Sequence, residues 1–310
     1  MTHFNCPAAD ASAPDAHELQ SDVELVLRPR SRDLGGFEVR RALPAGQRQM
    51  VGPFIFFDEM GPSEFSRGNG IDVRPHPHIG LATITYLFNG EILHRDSLGT
   101  EMVIKPGDVN WMKAGRGIVH SERTPQVTRE ADHHPLHGIQ AWVALPLDQE
   151  RAEPSFIHYP KAALPEIELE SVSIRLIAGH FFGHTSPVSV DWPTLYAEIQ
   201  LQADAEILVD DEYDERALYI VSGKLQIGDD RFEAGSMVIL RAGMLVNLQS
   251  VNPTHMMLIG GKAIDGPRHI WWNFVASDQR LLEQAKADWT ADRFDPVPNE
   301  CERIALPESN

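Results

Sequence analysis

Two short segments carry residue types that hold metals. Arg74 to Tyr86 reads RPHPHIGLATITY and sets His76 and His78 two residues apart, with prolines before and between them. Side chains alternate along an extended chain, so the two imidazoles project to one face. Pro75 and Pro77 restrict φ and bias their neighbours to extended geometry, which presets that arrangement. Farther on, GRGIVHSERT brings His120 and Glu122, again two apart and again on one face if extended. The two pairs are 42 residues apart and can converge if they lie on adjacent strands. Three imidazoles and one carboxylate would then surround a cation. Imidazole suits Fe, Ni, Cu and Zn, and a mixed nitrogen and oxygen set with open positions suits non-haem Fe(II) or a related metal. Four protein ligands in an octahedral field leave two places for water, dioxygen or a chelating substrate. Either pair alone would read as a surface loop or a solvated strand end. Together, flanking one domain, they are read as a metal site.

The elements that must position these residues are strands. ATITYLF, EILHRD, EMVIKP, LYAEIQL, ALYIVSG, MVILRAG and HMMLIGG are short β-rich runs separated by Gly, Pro, Asn and Asp. Such spacing predicts an all-β sandwich or barrel. An internal repeat sharpens the prediction. Tyr86-Leu-Phe-Asn-Gly90 aligns with Tyr219-Ile-Val-Ser-Gly223, and Gly107 to Gly115 spans eight residues, as does Gly235 to Gly243. These glycines supply the positive φ that tight turns need. Two barrels of roughly 100–130 residues fit the length. The boundary is expected in the charged, proline-containing stretch 146–160. One helix is expected, from Asp278 to Asp292, with Leu281, Leu282, Ala285 and Trp289 as its apolar stripe. Ser277 can cap its start, and the helix is expected to pack across a barrel.

The repeat is an internal control. The offsets of His76 and His78 from Tyr86, counted back from Tyr219, fall on Val209 and Asp211. Those of His120 and Glu122 fall on Leu248 and Ser250. The second copy is therefore expected to lack the site.

The chain has 310 residues, 27 basic against 45 acidic side chains, and a formal charge of −18. Phosphate backbones repel so acidic a protein, so direct nucleic-acid binding is not expected. Two cysteines, Cys6 and Cys301, allow no zinc-finger spacing and fit a reducing compartment. The N-terminus has neither the basic nor the apolar region of a signal peptide, and no run of about 18 apolar residues spans a membrane. A cytoplasmic protein is expected.

The segments HPHIGLATITYLFNGEILHRDSLG, IKPGDVNWMKAGRGIVHSE and LHGIQAWVALP resemble the pirin family, a two-barrel branch of the cupins. The resemblance runs from about Leu25 to the C-terminal helix. It implies a bicupin: two cupin-type β-barrels and a short C-terminal helix. The expected division is a disordered segment at 1–22, a metal-binding N-terminal barrel at 23–150, and a metal-free C-terminal barrel with the helix at 151–310. The ligands it implies are His76, His78, His120 and Glu122, with Fe(II) as the metal and Ni, Cu, Co, Mn or Zn as alternatives. It also implies quercetin 2,3-dioxygenase-type activity on flavonol-like substrates, with Glu122 as ligand and catalytic base and dioxygen as co-substrate. The alternative it implies is a non-enzymatic regulatory metalloprotein acting through a protein partner. In the wider cupin pattern the residue four after the second histidine is a ligand glutamate; here it is Ala82, a change expected to reach the substrate pocket.

Other residues are read as structural. His94 is expected to be a buried, hydrogen-bonded histidine, with a role in orienting a ligand as the alternative. Arg95 and Asp96 are expected to pair at a turn. His133, His134 and His137 are expected in a loop near the cavity mouth. Trp111, Met112 and Trp142 suit an apolar wall or the core. His180 and His184 are left without a role.

Overall fold

A computed structural model describes residues 22–33 and 37–307. The segment expected to be disordered lies outside the described residues except for Asp22. All seven β-rich runs named above are strands. They build two copies of one arrangement. A seven-stranded antiparallel sheet and a four-stranded sheet make the first domain, and a second such pair makes the other. Among the described residues neither pair closes into a hydrogen-bonded barrel. Gly107, Gly115, Gly235 and Gly243 all have positive φ, as the repeat requires.

The two seven-stranded sheets face each other. Ile84, Tyr86 and Phe57 from one and Tyr219, Met257 and Ile259 from the other share one buried core. Each sheet is edged by a strand from the far side of the repeat. Val23–Leu27 pairs with Met237–Leu240 of the second domain, and Ser155–Tyr159 pairs with Val109–Lys113 of the first. The exchange ties the domains through main-chain hydrogen bonds as well as side-chain packing.

The smaller sheet of the first domain carries the candidate ligands. Asp72–His78 and Ile92–Asp96 flank Ile118–Arg123 on either side. The corresponding sheet of the second domain sets Ile207 opposite Leu248 and Val209 opposite Val246, all buried and apolar. If Leu248 matches His120, the residue matching His76 is Ile207, two places before the Val209 that counting suggested; a connection two residues longer in the second copy shifts the register. Where the first copy gathers imidazoles, the second packs aliphatic side chains.

The C-terminal helix spans Gln279–Thr290. Asp278, not Ser277, is its N-cap, accepting from the Arg280 main chain; Ser277 instead bonds Glu150. Leu282, Ala285 and Trp289 are its buried face. That face packs with Phe274 and Ala276 against Ile79 and Val119 of the first domain. The chain beyond the second domain therefore returns to support the sheet that carries the candidate ligands. Gly80 makes this approach possible: its φ is +68°, and a Cβ there would lie 2.0 Å from the Val275 carbonyl oxygen.

Candidate metal centre

His76 and His78 end the strand Asp72–His78, and both are buried. Antiparallel pairing sets His76 directly opposite His120. The result is a group of three imidazoles whose ligand nitrogens lie within 4.8 Å of one another. Second contacts fix which nitrogen of each ring is free. His76 Nδ1 donates to the Arg74 carbonyl at 2.9 Å, and His78 Nδ1 to the Asn273 carbonyl at 3.1 Å. His120 Nδ1 faces His94 Nδ1 at 3.4 Å, and His94 Nε2 donates to Asp96 Oδ2 at 3.0 Å. With its Nε2 donating to Asp96, His94 presents Nδ1 as the acceptor for His120 Nδ1. Each ligand Nε2 is then left as a bare lone pair.

This arrangement suits a cation. His78 Nε2 and His120 Nε2 are 3.1 Å apart. Two bare nitrogens that close repel each other unless a positive charge lies between them. Protons do not supply that charge at neutral pH. Desolvation, with smaller effects from neighbouring imidazoles, lowers the pKa of His78 and His120 well below the usual histidine range. Burial likewise lowers His76 to about 4. Neutral imidazole is the metal-binding form.

Glu122 shares the cleft. It is buried, and with His76 and His78 it lines a pocket of about 90 Å³ that also includes Phe56, Gln140 and Trp142. A register shift between His120 and Glu122 interrupts the regular alternation at this point. Glu122 Oε1 lies 3.3 Å from the Thr85 hydroxyl, which is also 2.8 Å from Gln140 Oε1. Desolvation raises the Glu122 pKa above the ordinary glutamate value. Trp142 stacks on Phe56 at 3.9 Å, sets its edge against His78, and has a buried Nε1 with no partner among the described residues. Arg41 and Asp58 form a bidentate pair that also lines the pocket, with the guanidinium over Phe56.

The remaining sequence-level candidates fall elsewhere. His94 is buried and hydrogen-bonded to Asp96, as expected, with its ring stacked on Phe156 and its Nδ1 3.4 Å from His120 Nδ1. Arg95 and Asp96 do not pair, because neighbouring strand residues face opposite sides. Arg95 bonds Glu101, while Asp96 accepts from the main chain of Leu98 and Thr100. His133, His134 and His137 begin the long strand His133–Ala144 rather than a loop. Pro135 is tolerated there because this end is hydrogen-bonded to one neighbouring strand. Trp111 and Ala82 lie in the core between the large sheets, so position 82 does not line the metal pocket. His180 pairs with Glu212 at the surface. The Asn273 carbonyl was not legible in advance, since a main-chain acceptor 195 residues from His78 has no local signal.

Comparison with known proteins agrees with this architecture. The pirin family pattern matches residues 36–143, and that of the pirin C-terminal cupin domain matches residues 196–295. The chain belongs to the pirin family. It is 46% identical to a pirin-like protein of Caulobacter vibrioides over 92% of this chain and 100% of that protein. Pirin of Homo sapiens is 29% identical over 86% of this chain and 91% of its own length. A crystal structure of quercetin 2,3-dioxygenase from Acinetobacter baumannii superimposes with a TM-score of 0.85. It is 33% identical and covers 92% of this chain and 95% of that one. The two cupin-type domains and the three-histidine group are thus a pirin fold with a candidate metal centre in its first domain.

Proposed function

We propose that this pirin is a metal-dependent dioxygenase of the quercetin 2,3-dioxygenase type. His76, His78, His120 and Glu122 would hold Fe(II), and residues 23–150 would form the metal-binding half and 151–310 its metal-free partner, each lending one edge strand to the other, in the cytoplasm. The reading rests on one observation: three buried imidazoles converge at a cleft that the buried Glu122 also lines, Glu122 itself lying outside the three-histidine group. Its similarity to a solved quercetin 2,3-dioxygenase supports the reaction type. Ni, Cu, Co, Mn and Zn accept the same donors, and availability decides among them.

When bound, the cation supplies a Lewis acid and a template for dioxygen and a chelating hydroxy-ketone. The other tasks belong to the chain. Glu122, its pKa raised by burial, suits removal of the proton from an acidic hydroxyl such as a flavonol 3-hydroxyl. Phe56, Met60, Ile71 and Val73 keep the cleft apolar. The pocket's 90 Å³ lies below the roughly 300 Å³ of a site that encloses a drug-sized ligand. The chelating edge of a flavonol would enter, and its other ring would lie at the mouth.

Oxygen uptake with quercetin tests the reading. Glu122→Gln is expected to fold and bind metal but to lose roughly 10²–10⁴-fold in turnover. Unchanged turnover would remove Glu122 from the mechanism. The small pocket favours one second reading, a regulatory metalloprotein acting through a protein partner. Under that reading metal-loaded protein consumes no oxygen with flavonols, and partner capture depends on the metal.

A further inference from the structure

The contact between the domains uses one side-chain pattern twice. In the first domain Arg40, Glu59, Ile139 and Tyr86 stand side by side on four neighbouring strands. In the second, Arg175, Glu198, Met257 and Tyr219 do the same. His137 and His255 stand two residues before Ile139 and Met257. Each tyrosine reaches the other domain's glutamate: Tyr219 donates to Glu59 and Tyr86 to Glu198, both at 2.5 Å. Each glutamate also meets its own domain's histidine. His137 Nε2 is 2.8 Å from Glu59 Oε1, and His255 Nε2 is 2.9 Å from Glu198 Oε1.

The copies differ in what their arginine does. Arg40 pairs with Glu59 at 2.8 Å. Arg175 instead turns from Glu198 and pairs with Glu166 at 2.6 Å, and Gln200 comes within 3.3 Å of Glu198 Oε1. Beside this rearrangement a cavity of about 460 Å³ opens between the domains, lined among others by Lys161, Arg175, Gln200 and His255. That volume is in the range of small-molecule sites, which favour domain interfaces. It shares no lining residue with the metal pocket.

A donor and acceptor census indicates the occupant. Both oxygens of Glu198 accept hydrogen bonds, one from Tyr86 and the other from Gln200, while His255 Nε2 lies 2.9 Å from the second without hydrogen-bond geometry. Arg175 is 8% exposed, yet among the described residues it makes one hydrogen bond from a guanidinium with five donors. Lys161 is held by its main chain, which donates to Asp108, and among the described residues its ammonium has no ion-pair partner. Glu166 and Glu198 also line the cavity, but both already accept hydrogen bonds, so the unused groups are donors of Arg175 and Lys161. Glu166 is half-exposed, so its ion pair is weak and exchangeable.

We propose that the inter-domain cavity binds a small molecule through a carboxylate or phosphate group held by Arg175 and Lys161. A planar guanidinium beside a mobile ammonium suits either oxyanion. Phe88, edge-on to His255 at 4.5 Å, supplies an apolar wall for the rest of the ligand. The site stands whether or not the metal centre performs dioxygenation.

Isothermal titration of the metal-loaded protein tests this, with inorganic phosphate and succinate as probes at fixed ionic strength. At least one should bind saturably, and the one that binds identifies the oxyanion. Affinity should fall tenfold or more in Arg175→Gln and in Lys161→Ala, and stay the same in His120→Ala. Lys161 is exposed, so its variant reports even if Arg175→Gln fails to fold. Loss in His120→Ala alone would place the anion at the metal centre and overturn the proposal. So would unchanged affinity in the cavity variants, or no saturable binding of either probe.

Discussion

Metal-free protein should be acid-sensitive because of the imidazoles it buries. His76 is held at about 4 by desolvation, against 6.5 for the exposed group. Its folded pKa is lowered, so its contribution to stability is complete above 6.5. The contribution is lost as pH falls from 6.5 toward 4, because the unfolded chain takes up the proton first. Between pH 7 and pH 5, linkage with these two values gives a loss of about 2 kcal/mol from this residue alone. His78 and His120, shifted in the same direction, add to it. That is a sizeable share of the roughly 5–15 kcal/mol typical of a folded domain. Urea unfolding at the two pH values, with chelator present, measures the loss. Carboxylates elsewhere also respond to acid, so the comparison is with His76→Gln, which should lose about 2 kcal/mol less than the parent. Equal losses in both proteins would show that His76 is not held neutral by burial, and the electrostatic account of the site would fail.

Two further variants probe the surroundings of the three imidazoles. His94→Phe keeps the stack on Phe156 but removes the acceptor for His120 Nδ1–H. Metal affinity measured by chelator competition should fall roughly 10–100-fold, and an unchanged affinity would leave His94 with a packing role alone. Trp142→Phe keeps an aromatic ring against Phe56 and His78 but removes a buried Nε1–H that has no partner among the described residues. Metal content should stay the same and stability to urea should change little, because no hydrogen bond is lost; a large loss of stability would show that the indole N–H is bonded in the folded protein.

The sheet architecture was legible because its signals are local. Alternating apolar runs mark strands such as Leu81–Asn89 and Glu215–Ser222, and turn glycines such as Gly107 and Gly235 mark the repeat. The ligand histidines were legible for the same reason, since two-residue spacing on a strand presents both rings to one face. What was hidden depends on pairings distant in sequence. The edge strand Val23–Leu27, the Asn273 carbonyl behind His78, and Glu300 bound to Ser121 and Arg123 join segments more than a hundred residues apart. No periodicity announces such contacts. The strand at His133 was obscured by Pro135, which reads as a loop residue until its one-sided pairing is seen. His94 was hard to weigh because burial and ligand support look alike in one dimension.

Metal content is the most direct check on the site itself. Protein purified without oxygen and analysed by elemental mass spectrometry should carry one transition-metal ion per chain. His78→Ala and His120→Ala should carry almost none while keeping the parent circular-dichroism spectrum. A folded variant that retains the full complement of metal would contradict the assignment of these imidazoles as ligands.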